Sequence, residues 1–263
     1  MLESFSKKIF VKKFGKTFKI LNEKVDSYLD IQDEKNIHDL RIAIRRFNSA
    51  FALLPKKIRK NSRTLNYLSL CKNLFKVNTE IRDYDIICKK LEKYSNNPIS
   101  LGSISSLKQN RSLKIEEAKK AAIKLQKFKL PTSQVNFSKQ KLQKRFYNVI
   151  SKLDRRIEIT LPVAIGDEKK IDELHRLRKD FKKMRYTLEL AGKNKRISKF
   201  IDNLKNIQDV LGEIHDSDIM INYLKDIKTS DVGGVMASEM EIRHKKYDLF
   251  VASLKRKDTI AVS

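Results

Sequence analysis

The chain has 263 residues, of which 40% are hydrophobic and 34% are charged. Its 58 Lys and Arg residues exceed its 32 Asp and Glu residues by 26, so the folded chain repels itself unless salt or an anionic partner screens the charge. The length and apolar content exclude a chain too small or too polar to build a core, and the positive charge points to nucleic acid, an acidic membrane surface or a polyphosphate as the partner.

Targeting signals and membrane spans are the next classes to consider. The N-terminal segment carries Glu3 and pairs of Lys residues among its apolar residues, so it lacks the uninterrupted apolar stretch of a secretory signal. No stretch approaches the apolar length of a membrane span. We therefore expect a soluble, cytoplasmic protein that does not insert into membranes.

The regular structure predicted along the chain is helical. Only seven Gly and four Pro residues occur, apolar residues recur with a period of 3.6, and no convincing alternation typical of a strand is present. Because proline interrupts helices, we expect Pro55, Pro98, Pro131 and Pro162 to mark helix ends. The predicted fold is all-α, with helices over residues 4–29, 35–54, 60–94, 104–128, 138–160, 169–191, 196–228 and 235–256.

The eight predicted helices form two sets of four, and the chain matches itself in three blocks. At a shift of 137, "IHDLRIAIRRF" from Ile37 falls on the start of "LHRLRKDFKKMRY" from Leu174. At a shift of 133, "VNTEIRDYDII" from Val77 falls on "VLGEIHDSDIM" from Val210, and a weaker block matches at 132. The repeat predicts two halves with four helices each, residues 1–130 and 131–263.

Two matched helices each carry a row of basic residues beside an apolar stripe. In the first, Ile37, Leu40 and Ile44 begin a series that faces the core, and the basic residues repeat its spacing one residue later, about 100° around the helix. Cations held beside a core lose little further side-chain entropy when they bind a chain of phosphates. The two basic rows are His38, Arg41, Arg45 and Arg46 in the first half, and His175, Arg178, Lys182, Lys183 and Arg185 in the second.

A basic row also has a purely structural interpretation, in which its cations pair with acids of neighbouring helices. Two matched rows in a chain with so few acids favour a ligand instead. The histidines that begin the rows can donate to phosphate oxygens, and an anion there favours the imidazolium. No metal-binding spacing of histidines occurs, so we expect neither a metal ion nor another cofactor. The available acids are Asp83, Asp85, Asp216 and Asp218.

The stretches "HDLRIAIRRF", "HRLRKDFKKMRY" and "LGEIHDSDI" resemble the CHAD family, the conserved-histidine α-helical domain, over essentially the whole chain. The resemblance implies two four-helix bundles related by pseudo-twofold symmetry, whose basic surfaces converge to bind inorganic polyphosphate. It also implies a binding module rather than an enzyme. The chain departs from the usual pattern at Asn48, where another Arg is common, and at Lys182 and Lys183, which lack the forked geometry of Arg.

Other residues have weaker claims on the ligand. Basic residues on the first and last helices of each half would widen the site, whereas the four Asp residues would orient the basic rows without touching the ligand. The additional candidates for polyphosphate binding are Lys12, Lys13, Lys144, Arg145, Arg111 and Arg243.

The expected function is recognition of inorganic polyphosphate, with association with polyphosphate granules and weak binding to nucleic acid as further expectations. Two alternatives stay open. One is a nucleic-acid-binding protein, although the chain has no Trp for base stacking and its Phe residues fall largely in core stripes. The other is an enzyme that processes polyphosphate, for which the Asp-x-Asp blocks would have to supply metal-binding acids.

Overall fold

The computed structural model describes residues 5–94, 98–128, 138–192, 195–227 and 232–255. Within these ranges the chain is helical and contains no strand, which confirms the predicted all-α class. A short 3₁₀ helix, Glu92–Tyr94, follows α4. The α-helices are α1 (Lys7–Asp30), α2 (Glu34–Ala52), α3 (Lys56–Arg59), α4 (Ser62–Leu91), α5 (Pro98–Lys127), α6 (Lys139–Gly166), α7 (Ile171–Leu188), α8 (Lys195–Asp226) and α9 (Val232–Lys255).

The structure differs from the prediction at two of the prolines. Pro55 precedes α3, a helix of four residues that periodicity did not predict. Pro162 does not end a helix but lies inside α6. It is exposed, as is Glu158, whose carbonyl the proline leaves without its usual donor, so water can satisfy that group. Pro98 begins α5, and Pro131 lies outside the described residues.

Local sequence fixes where four of the helices begin. Each is preceded by a short polar side chain that accepts a hydrogen bond from the backbone N–H three residues later, which satisfies a group that the first turn leaves free. These N-cap residues are Ser6, Asp33, Asn61 and Ser138.

The helices pack as the repeat predicts. In the first half, α1, α2, α4 and α5 contact one another; in the second, α7 contacts α6 and α8, α8 contacts α9, and Tyr247 on α9 donates to the Ala164 carbonyl on α6. The halves meet where α2 contacts α7, α4 contacts α8 and α1 contacts α6, and one apolar core runs through both. The predicted boundary at residues 130–131 lies outside the described residues and stays a prediction.

Two equivalent contacts tie the halves together. Lys13 on α1 donates to the Glu189 carbonyl at the end of α7, and Arg145 on α6 donates to the Ala52 carbonyl at the end of α2, at 3.0 Å. Cations stabilise the carbonyl ends of helices, so the first helix of each half caps the second helix of the other. This reciprocity fits the predicted pseudo-twofold relation. Among the described residues, no helix has the length and apolar character needed to cross a membrane.

Candidate functional site

The two basic rows converge on one cleft of about 620 Å³ between the halves. Helices α2 and α4 line it from the first half, and α7 and α8 line it from the second. Seven of the nine row residues reach it, so the rows neither face apart nor belong to separate surfaces. The row residues that line the cleft are His38, Arg41, Arg45, His175, Arg178, Lys182 and Lys183.

On the first side of the cleft, Phe75 and Thr79 fix two guanidinium groups. Arg41 is only 8% exposed, and its Nη1 donates to the Thr79 hydroxyl at 2.6 Å. The Cζ atoms of Arg41 and Arg45 lie 4.8 and 5.0 Å from the centre of the Phe75 ring, which holds both by cation–π attraction. Burial, followed by repulsion from Arg45, lowers the pKa of Arg41 to about 9, so this guanidinium remains positive at neutral pH.

On the second side, the equivalent guanidinium, that of Arg178, has fewer hydrogen-bond partners. A shift of 133 places Gln208 and Gly212 where the first half has Phe75 and Thr79. Glycine offers no hydroxyl, and the buried Nε of Arg178 has no hydrogen-bond partner in the described part of the chain. Burial lowers the pKa of Arg178 to about 10. A buried donor without an acceptor costs free energy, and an oxygen of a bound anion would relieve that cost.

The side chain of Lys182 is partly buried in the cleft, which disfavours a positive charge on its amine. Burial, then repulsion from Arg178 and Arg45, lowers its pKa to about 6. The amine is therefore largely neutral at pH 7 and above in the free protein. An anion bound beside it would favour the charged form and raise its pKa.

The pKa values of the three histidines that line the cleft are lowered, which favours their neutral form in the free protein. Nδ1 of His175 lies 3.3 Å from Nδ1 of His215, and burial lowers the pKa of His175 to about 4 and that of His215 to about 2. The pKa of His38 is also lowered, first by burial and then by Arg82. The imidazolium expected from the sequence therefore requires the bound anion.

Two carboxylates occupy equivalent positions in the cleft. Asp83 and Asp216 line it, and in the described structure neither forms an ion pair or a hydrogen bond. Burial raises the pKa of Asp83 to about 6 and also raises that of Asp216, while Arg41 and Arg178 respectively oppose the shift most. These acids therefore lie near the basic rows without neutralising them through direct contacts.

The other acid of each Asp-x-Asp block has a different role. Asp85 accepts from Arg111 at 2.6 Å, and Asp218 accepts from Arg243 at 2.6 Å. Arg111 and Arg243, two of the predicted binding residues, thus bind internal acids and do not line the cleft. Within the described ranges, no group of three or more His, Cys, Asp or Glu residues is placed to hold a metal ion.

The remaining predicted residues lie around the cleft rather than in it. The Cζ atoms of Arg46 and Arg185 lie 5.6 and 4.9 Å from the ring centre of Tyr186, which lines the cleft, and both side chains pair with Glu189. Lys13 and Arg145 cap helix ends, as described above. The exposed pair outside the cleft lining is Lys12 and Lys144.

Several lining residues were not predicted as binding residues. His215 and Arg82 occupy the same place in the two repeats, so the repeat alone was a sufficient signal for both. Phe75 and Tyr186 carried no such signal, because an aromatic residue in a helical stripe is more often part of a core. The other unpredicted residues that line the cleft are Asn48, Ser49, Thr79, Ile86, Lys179 and Ile219.

Comparisons with known proteins agree with this architecture. Residues 14–225 match the family model described as the CHAD domain. The chain is also similar to the crystal structure of the CHAD domain from the plant Ricinus communis, with a TM-score of 0.70, 16% sequence identity, and coverage of 99% of this chain and 96% of that one. A search of curated proteins finds no match. Since the family model spans most of the sequence, the chain belongs to the CHAD family.

Proposed function

We propose that this protein binds inorganic polyphosphate in the cleft between its two halves and does not catalyse a reaction on it. The observation that carries the proposal is the convergence of both basic rows on one cleft, with the Arg178 Nε unsatisfied in the described structure. Several charge-assisted hydrogen bonds at fixed positions suit a ligand that repeats the same anionic group. The family resemblance implies the same ligand.

The cleft suits an unbranched phosphate chain better than nucleic acid. Its volume of about 620 Å³ is within the usual range for small-ligand sites, which is too small for a duplex. Single strands bind proteins by stacking bases on aromatic rings, but guanidinium groups of Arg41 and Arg45 occupy the face of Phe75. We therefore propose that nucleic acid binds weakly. We also propose a cytoplasmic location and association with polyphosphate granules, which fluorescence microscopy of the labelled protein would test.

A competition experiment tests the choice of ligand. Polyphosphate should displace a fluorescent polyphosphate probe at a lower phosphate concentration than single- or double-stranded nucleic acid does, at moderate and fixed salt. Equal displacement per phosphate would reduce the function to general polyanion binding. Release of orthophosphate with Mg²⁺ present, lost in an Asp83→Asn/Asp216→Asn variant, would instead establish an enzyme.

Binding should be accompanied by proton uptake. Since the pKa of Lys182 is about 6 in the free protein and a phosphate raises it, the complex holds more protons than the free protein at pH 7.5. Affinity should therefore increase as the pH falls from about 8 to about 6. Calorimetric titration in two buffers with different ionisation enthalpies measures the uptake.

Two variants separate the sources of this uptake. Lys182→Arg keeps the positive charge but does not titrate in this range. Its binding should therefore take up fewer protons, and its affinity should fall less between pH 6 and pH 8 than that of the unaltered protein. A His38→Ala/His175→Ala variant should remove the part that depends on histidine. Identical apparent enthalpies in both buffers for the unaltered protein would contradict the predicted coupling.

A further inference from the structure

A second set of cations continues from one end of the cleft. Four basic residues on α6 lie at offsets of 0, 4, 11 and 15 residues, which places them on one face of the helix. This face meets α7, because Arg156 pairs with Asp180 there. Lys183, which follows Asp180 by three residues, lines the cleft. The four residues are Lys141, Arg145, Lys152 and Arg156.

The same face of α6 leads to a basic turn after α2. Arg145 donates to the Ala52 carbonyl at 3.0 Å, and Arg59 donates to the Leu54 carbonyl at 2.8 Å, so the two guanidinium groups lie at carbonyls only two residues apart. Burial lowers the pKa of Arg145, and repulsion from Arg59 lowers it further. The exposed Lys56 lies in the same turn as Arg59. We call the series Lys183, Lys152, Arg145, Lys141, Arg59 and Lys56 the exit row.

The charges along the exit row affect one another. Burial lowers the pKa of Lys183, and repulsion from Arg156, Lys152 and Arg145 lowers it further. Asp180, an acid beside this series, is only 2% exposed and is paired with Arg156. An anion that follows the row would therefore meet cations at the surface while the acid stays buried.

The pseudo-twofold equivalent of this face carries only two basic residues in place of four. A shift of 132 places Ile9 and Ile20 of α1 where α6 has Lys141 and Lys152. Of the two remaining equivalents, Lys13 donates to the Glu189 carbonyl and Lys24 pairs with Asp39 at 2.7 Å. The acidic side chain of Glu189 lies on this side and pairs with Arg46 and Arg185. The two sides of the cleft thus differ in charge although the helices correspond.

Building on the proposed function, we propose that a polyphosphate chain longer than the cleft leaves it beside Lys183 and continues along the exit row. The equivalent face of α1 does not carry the chain. The protein then prefers long chains, since each additional contact with the exit row releases counterions and adds affinity until the row is covered.

The test compares short polyphosphate, which the cleft alone can hold, with polyphosphate several times longer. The exit variant Lys56→Gln/Lys141→Gln/Lys152→Gln removes three exposed charges along the path. The control Lys120→Gln/Lys124→Gln/Lys127→Gln removes three exposed charges from α5, which contributes no residue to the cleft. Fluorescence titration at several salt concentrations gives the affinity and its salt dependence.

We expect the exit variant to bind short chains as the unaltered protein does, and long chains about tenfold more weakly. Its salt slope for long chains should fall by about 2, from three contacts of about 0.7 each. The control variant should bind short and long polyphosphate as tightly as the unaltered protein does. An equal loss in both variants, or no loss in the exit variant, would overturn the proposed path. Failure of the unaltered protein to bind either length would instead refute the proposed function.

Discussion

Replacing Arg41 and Arg178 together with alanine should weaken polyphosphate binding by about 3–6 kcal/mol, because each loses a charge-assisted contact worth about 1.5–3 kcal/mol. This corresponds to roughly a hundredfold to ten-thousandfold increase in Kd. The two residues occupy equivalent positions in the repeat, and both line the cleft. Calorimetric or fluorescence titration at one fixed salt concentration measures the change.

The single variants should differ. Arg41 already donates to Thr79 and lies over Phe75, whereas the buried Nε of Arg178 has no partner in the described structure. A phosphate oxygen therefore gives Arg178 a hydrogen bond that it lacks in the free protein, whereas Arg41 already has a partner. Arg178→Ala should cause the larger loss of affinity.

Arg111→Ala is the matched control for these substitutions. It removes the same charge, but from an ion pair with Asp85 outside the cleft. We expect it to lower the free energy of unfolding and to leave the affinity unchanged, whereas the cleft variants should weaken binding. Circular dichroism melts would verify that each variant is folded. Unchanged affinity in the Arg41→Ala/Arg178→Ala variant would place the ligand elsewhere.

The architecture and the central site follow from helical periodicity. The spacing of Ile37, Leu40 and Ile44 determines which side of α2 faces the core, and hence where Arg41 and Arg45 must lie around it. All three apolar residues are fully buried. The internal repeat transfers the same argument to α7. Periodicity was therefore sufficient to predict two rows and, through the family resemblance, their convergence.

Periodicity describes each helix alone and does not show which groups a neighbouring helix brings within reach. Arg111 and Arg243 carry the right charge, but Asp85 and Asp218 lie within reach and bind them. Arg145 meets the end of α2 because the halves are packed together, which no spacing within α6 reveals. The partial burial of Lys182 likewise depends on the packing of the helices, since α2, α4, α7 and α8 together form the cleft that it lines.

A buried ion pair between Lys90 and Glu239 joins the two halves. Glu239 on α9 is only 1% exposed and accepts from Lys90 on α4 at 2.6 Å. Lys90 also donates to Ser217 on α8 at 3.2 Å, and the Tyr94 hydroxyl lies 3.4 Å from the second carboxylate oxygen. A small apolar cluster lies between α4, α5, α8 and α9, formed by Ile87, Cys88, Leu91, Leu107, Met220, Leu224, Val232 and Val235.

Glu239→Ala should lower the free energy of unfolding by about 3–5 kcal/mol, because it leaves the Lys90 charge partly buried without its partner. The double variant Lys90→Met/Glu239→Leu should recover most of this loss, since apolar side chains of similar size replace both charges. Urea unfolding, with two-state behaviour checked by two probes, measures both values.

Glu241→Ala provides the matched control, because Glu241 pairs with Lys245 on the exposed face of the same helix. Water screens this pair, and its loss should leave the free energy of unfolding unchanged within error. If Glu239→Ala proves as mild as Glu241→Ala, apolar packing alone holds this end of the two halves together. If the double variant is no more stable than Glu239→Ala, the loss comes from the polar contacts of the Glu239 carboxylate, which Leu cannot make, rather than from the unpaired charge of Lys90.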